Sequence, residues 1–125
     1  MKFLLNILLW VLCVQVYGQT FIDSKEFNKI KNSNQPFVVE FWAKFNDSNK
    51  WEELKVLNKC GVYRVCMIAN KDLADEYNIK VLPTIIVFNN RKEIFRWKGN
   101  LLFEINLNPH DVQTKIDSLI MEKFR

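Results

Sequence analysis

The segment D-L-A-D-E-Y-N-I-K-V-L-P-T, Asp72 to Thr84, decides how the rest of the chain is read. Its first part has the pattern of a short helix over residues 71–77, with Leu73, Ala74 and Tyr77 as the buried positions. It runs into V-L-P-T-I-I-V-F, an apolar strand over residues 81–88 with a proline near its start. Asn89-Asn90 then signals a turn, and residues 93–97 read as the return strand of a hairpin ended by Gly99.

Upstream, residues 37–43 form a strand with little polar interruption, as expected in a sheet covered on both faces. It enters F-W-A-K-F-N-D-S-N-K-W, Phe41 to Trp51, where Asp47 or Ser48 is placed to cap a helix carrying Trp51, Leu54 and Leu57. A strand running into a helix N-terminus favours anions through free N–H groups and the helix dipole. That helix ends near Cys60-Gly61, and residues 62–68 give another continuous apolar strand, read as buried. Before these, residues 20–22 suggest a short first strand, and Asp23-Ser-Lys-Glu26 is a capping-box pattern opening a helix that buries Phe27 and Ile30. At the far end, Asn108 as cap and Pro109 at the first helical position open a last helix, with Val112, Ile116, Leu119 and Ile120 as its apolar stripe. Residues 101–107 are apolar and read either as an edge strand or as a packed loop. The order β-α-β-α-β-α-β-β-α implies an α/β domain with a mixed sheet between helices.

The chain has 125 residues, ten Phe and 49% hydrophobic composition, enough for one domain with a sizeable core. Residues 1–18 read as a secretory signal: Lys2 as a minimal basic start, residues 3–14 as the apolar run, Val16 and Gly18 as the −3 and −1 positions. The mature domain then spans residues 19–125, opening at Gln19, exported to a periplasm or medium and without a stable membrane span. An uncleaved anchor is the alternative, but the run is shorter than the ~20 apolar residues a spanning helix needs. A lipidated Cys13 is disfavoured by the bulky Leu12 before it. Removing Lys2 leaves 17 Lys+Arg against 14 Asp+Glu, a net charge of +3, with acids interleaved throughout, so no nucleic-acid stripe is present.

Cys60 and Cys66 are the cysteines left in the mature chain. Six extended steps hold them roughly 20 Å apart, and a disulfide needs Cα atoms within about 7 Å. They read as two small buried hydrophobes. There is no Cys-x-x-Cys and no metal-ligand spacing, His110 is the sole histidine and reads as solvated, and no cofactor is expected.

Over residues 20–120 the chain resembles the thioredoxin family. V-V-E-F-W-A resembles the strand leading to that family's active site, and Y-N-I-K-V-L-P-T resembles its cis-proline loop, usually Y-G-I-x-x-x-P-T. I-I-V-F-N-N and Gly99 are similar to its hairpin and following glycine. The resemblance implies a three-layer fold and a Leu82–Pro83 bond in cis. The family's W-C-G-P-C segment is matched here by Phe45-Asn46-Asp47-Ser48-Asn49, so both reactive cysteines are asparagine. Thiol–disulfide exchange needs a thiolate attacking a disulfide sulfur, which a neutral carboxamide cannot supply. The eighteen positions from Asn46 to Arg64 are fewer than the family has, which implies a following helix about two turns shorter.

Glu40 matches the family's buried acid and Arg64 the lysine near it, so the resemblance implies a retained structural ion pair, against an edge-exposed Glu40. It also implies a peptide groove around Leu82, Pro83 and Thr84, with Trp42, Phe45 and Trp51 as an apolar lining, although such aromatics also serve as core. Three functions compete: a module that binds a protein or an extended peptide; an oxidoreductase of cell redox homeostasis using Cys60 or Cys66; and a structural subunit of an envelope complex. Fold alone does not choose among them.

Overall fold

The computed structural model describes residues 21–124. Helix α1, Ser24–Lys31, is capped by Asp23, whose carboxylate accepts the Glu26 N–H at 2.8 Å. Strand β1, Phe37–Trp42, is buried at all six positions. After two short 3-10 segments, Lys44–Asn49 and Glu52–Val56, come β2, Gly61–Cys66, and helix α2, Lys71–Glu76. The hairpin β3, Thr84–Asn89, and β4, Lys92–Lys98, precedes α3, Pro109–Glu122. Asn108 caps α3, its side chain accepting the His110 N–H, with Pro109 at the start.

The strands lie in the order β2-β1-β3-β4, with β1 parallel to β2 and antiparallel to β3, so the sheet is mixed. Successive side chains of a strand point to opposite faces. On one face Phe37, Val39, Phe41, Ile86 and Phe88 pack under α1 and α2 with Phe27, Leu73 and Ala74. On the other, Val38, Ile85 and Val87 meet Trp51, Leu54 and Leu57 of the 3-10 region and Val112, Ile116 and Leu119 of α3. Both faces of β1 are therefore covered, which is why its sequence shows no alternation. Phe27 anchors the first layer, its ring edge-on to Phe37, Tyr77 and Phe88.

Several expectations are corrected. The helix after β1 is absent among the described residues, and two 3-10 segments replace it. Trp51, Leu54 and Leu57 are all buried, and their spacing of three matches the 3.0 residues per turn of a 3-10 helix better than 3.6. Neither Asp47 nor Ser48 caps a helix there. The Asn-Asp-Ser-Asn run bonds locally, Asn49 Nδ2 to Asn46 Oδ1 and Lys50 Nζ to Asp47, which competes with helical pairing. Residues 20–22 give no first strand within the described part of the chain: Phe21 makes a single bridge to Arg64. Among the described residues β2 is the outermost strand, flanked only by the Phe21 bridge, and Gly61, Val62, Tyr63 and Cys66 are only half-buried, with Ile68 exposed beyond its end. The hairpin turns at Asn90-Arg91, one residue later than read, both with positive φ (51° and 67°) as a tight hairpin turn requires. Residues 101–107 form a loop, not a strand. The signal reading of residues 1–18 lies outside the described residues.

Candidate functional site

Glu40 points from β1 into the layer formed by the 3-10 region and is fully buried. Arg64, directly opposite on β2, donates from Nε to Glu40 Oε1 at 2.8 Å. The other carboxylate oxygen, Oε2, accepts the Trp51 N–H at 2.7 Å, and Arg64 Nη2 donates to the Trp51 carbonyl at 2.7 Å. The pair thus satisfies both backbone groups of Trp51, a residue between two short helical segments that has no long helix to bond within. Burial pushes the Glu40 carboxyl above its ordinary value, and the Trp51 N–H and the Arg64 guanidinium pull it back. Trp51 closes the arrangement by donating its indole N–H to the Leu107 carbonyl at 3.2 Å.

Beyond the end of β1, the four positions Asn46, Asp47, Ser48 and Asn49 lie in the first 3-10 segment. Asn46 is 5% exposed and breaks the helical geometry at φ −108°, ψ 21°. Its Oδ1 accepts from Asn49 Nδ2 at 3.2 Å, and its Nδ2 donates to the Phe103 carbonyl at 3.1 Å. Asp47 faces solvent beside Lys50. A carboxamide offers a donor and an acceptor but no nucleophile and no titratable proton near neutral pH. The pair can hold a backbone; it cannot exchange a disulfide.

The Leu82–Pro83 bond is cis, and Thr84 Oγ1 donates to the Val81 carbonyl at 2.7 Å. The expected groove lining is not exposed, however. Leu82, Thr84, Trp42 and Trp51 are 3%, 1%, 8% and 3% exposed, and Pro83 is buried as well. Of the predicted lining only Phe45 is open, at 66%. Leu82 packs into the core under α1 and α2, Trp51 into the core under α3, and the Phe21 ring lies edge-on to Trp42 at 5.3 Å; the main chain of the proline segment is approached by the loop after β4. The Gly99 N–H bonds the Pro83 carbonyl at 2.8 Å, and a Cβ on Gly99 would stand 2.6 Å from the Leu82 carbonyl oxygen and 3.1 Å from that of Glu104. The loop after β4 returns over the proline segment, and Phe103 sets its ring edge-on to Phe45 at 5.7 Å. Gly99, Asn100, Phe103 and Leu107 therefore belong to the site, although the sequence placed residues 101–107 only as an edge strand or a packed loop. Asn100 next to Gly99 was the available signal, since Asx side chains organise tight loops.

Cys60, just before β2, and Cys66, at its end, are free thiols, both half-buried rather than buried. Burial, with Asp117 nearby, pushes the Cys60 thiol from 9.0 up to about 11. Among the described residues no group of three or more His, Cys, Asp or Glu side chains is placed to hold a metal ion, and no helix is long and apolar enough to cross a membrane.

Comparison with known proteins bears directly on this geometry. Residues 19–105 match the thioredoxin family model. A thioredoxin of Griffithsia pacifica is 30% identical over 80 residues, covering 58% of this chain and 73% of that protein. Among solved structures, a mutant thioredoxin from Halobacterium salinarum superposes with a TM-score of 0.62 at 16% identity, covering 80% of this chain and 88% of its own. Plasmodium falciparum thioredoxin superposes with a TM-score of 0.60 at 19% identity, covering 79% and 97%. The structural neighbours share the α/β fold, and the sequence match extends across the 3-10 region that replaces the expected helix: the chain belongs to the thioredoxin family.

Proposed function

We propose that this chain is an exported thioredoxin-family module that binds a protein or an extended peptide and does not catalyse thiol–disulfide exchange. One observation carries the reading: Asn46 and Asn49, at the positions of the family's reactive thiols, are neutral amides bonded to each other and to a backbone carbonyl. A thiolate is the nucleophile of the family's chemistry, and no adjustment of local charge turns a carboxamide into one. The mixed sheet and the proline loop beside the pair are kept although the helix after β1 is not, so what remains of the site is its capacity to hold a backbone. Export rests on the sequence pattern of residues 1–18.

The second reading, an oxidoreductase of cell redox homeostasis, is favoured by kinship with thioredoxins. It would have to run through Cys60 or Cys66. The rise of Cys60 from 9.0 to about 11 leaves roughly a hundredfold less thiolate at neutral pH than an ordinary thiol, which opposes that route.

An insulin-reduction assay beside an active thioredoxin tests the redox half. No turnover is expected. Turnover lost in the Cys60→Ser, Cys66→Ser double variant would overturn the reading. Affinity capture from the envelope fraction tests the binding half: a partner retained by the wild type and lost by Phe45→Ser, a change at an exposed ring, is expected. Wild-type protein that retains nothing beyond the Phe45→Ser control would overturn that half.

A further inference from the structure

Resting on the peptide-binding reading, we propose that segment 100–104 is a tethered pseudo-ligand: it occupies the site as a partner peptide would, and a partner segment bearing an aromatic side chain binds by displacing it. Three contacts argue for this. The Phe103 carbonyl takes the one donor that Asn46 presents outward from the asparagine pair, at 3.1 Å. The Phe103 ring lies edge-on to Phe45 at 5.7 Å, so main chain and side chain of one residue are both recognised. The loop backbone also comes so close to the residue before the proline that Gly99 cannot carry a Cβ, with the Leu82 oxygen at 2.6 Å and the Glu104 oxygen at 3.1 Å from where it would stand. The approach is to the Leu82 main chain; its side chain is packed in the core with Phe41, Leu73 and Ile79.

The loop is built as a unit that can leave as a unit. Asn100 Oδ1 accepts the N–H groups of Leu102 and Glu104 at 2.9 and 3.1 Å, and Asn100 N–H donates to the Glu104 carbonyl at 2.8 Å. The Phe103 N–H returns to the Asn100 carbonyl at 3.0 Å. These bonds are internal and survive its departure. What ties the tip to the site is a neutral hydrogen bond and one ring contact. Leu101 and Leu102 are 90% and 71% exposed, so burial of the tip does little to hold it. Phe103 sits at φ 60°, a left-handed conformation that costs a non-glycine residue energy and that release of the loop relieves. The ligand class follows from what the loop imitates: a tight-turn segment whose main-chain carbonyl accepts from Asn46 and whose aromatic ring packs on Phe45.

The probe is the loop itself in trans, the capped hexapeptide Asn-Leu-Leu-Phe-Glu-Ile. A tethered segment competes at an effective concentration on the order of millimolar, so the wild type should bind the free peptide weakly. Replacing residues 101–103 by Gly-Gly spans ends that already hydrogen-bond, and should tighten peptide binding about tenfold or more, measured by calorimetry. Asn46→Ala in that background should weaken it again. As a variant that keeps the loop length, Phe103→Gly suits the positive φ, removes the ring, and should raise both peptide affinity and amide exchange over residues 100–104. A folded Gly-Gly variant that binds the peptide no tighter than wild type overturns the inference, as does Phe103→Gly with unchanged exchange. If a captured partner binds wild type and the Gly-Gly variant equally well, the pseudo-ligand falls and the binding module stands. If neither peptide nor partner binds any of the three proteins, both fall.

Discussion

Two polar clusters, one at Glu40 in β1 and one at Asn46 in the 3-10 segment after it, are built on different principles. The inner one is ionic and dry: Glu40 is fully buried, and the three bonds that join it, Arg64 and the Trp51 backbone measure 2.7 to 2.8 Å, two of them accepted by Glu40 and one donated by Arg64 to the Trp51 carbonyl. The outer one is neutral and looser: Asn46 reaches Asn49 and Phe103 at 3.2 and 3.1 Å, beside an exposed Phe45. Charge-assisted hydrogen bonds are shorter and about twice as strong as neutral ones, and their value rises where water is excluded. The inner cluster fixes the backbone at Trp51, between the two 3-10 segments. The outer cluster holds a loop that can be exchanged for something else. The backbone there is held by the inner cluster and does not hang on the asparagine pair.

The largest effect should come from breaking the inner cluster. Glu40→Ala leaves Arg64 buried without its carboxylate and the Trp51 N–H without an acceptor. Removing one partner of a buried pair costs about 3–5 kcal/mol, which denaturant titration followed by circular dichroism would read. A loss below about 1 kcal/mol would show that the pair is bystander rather than anchor.

A pH series sharpens the same contrast. Burial raises Glu40 above its ordinary 4.5, so the native chain holds that proton more readily than the unfolded chain. The stability this group contributes is fully present below 4.5 and declines as pH rises through the raised folded value. The unfolding free energy of wild type minus that of Glu40→Gln should thus move in the wild type's favour as pH is lowered from 7 toward 4.5. A flat difference would mean that Arg64 and Trp51 fully offset the burial. The asparagine cluster holds no titrating group and should show no such dependence in Asn46→Ala.

How far the sequence announced these clusters depends on whether the signal was local. Asp23 with Glu26, and Asn108 with Pro109, named their helix starts because capping acts over three residues. Phe37–Trp42 showed itself as a strand covered on both faces, and the position of Pro83 located the start of the hairpin. The Trp51, Leu54, Leu57 spacing was visible, but three apolar residues do not separate a period of 3.0 from one of 3.6. The loop was the least legible element. Leu101 and Leu102 look like core by composition and are exposed, and Phe103 takes a left-handed backbone that no side-chain preference foretells. Its place depends on contacts with Asn46 and Gly99, one of them 57 residues away in sequence, and no local pattern carries that information.

The smallest effect, and the one most able to break the comparison, is expected from Asn46→Ala. The substitution removes the donor to the Phe103 carbonyl and the acceptor for Asn49. Phe103 is 43% exposed, so its carbonyl can turn to water once the loop tip relaxes. The Asn49 amide, half-buried at the segment's end, can do the same. Neither group is then left buried and unpaired, which is the circumstance that makes a lost hydrogen bond expensive. The net cost should be on the order of 1 kcal/mol, the usual worth of a neutral bond, with amide exchange rising over residues 100–104 and unchanged at Trp51. The two readouts have to separate. If Asn46→Ala destabilised the protein as much as Glu40→Ala, or raised exchange at Trp51 together with the loop, the clusters would be one cooperative unit. The outer one could not then exchange its occupant without unsettling the anchor beneath it.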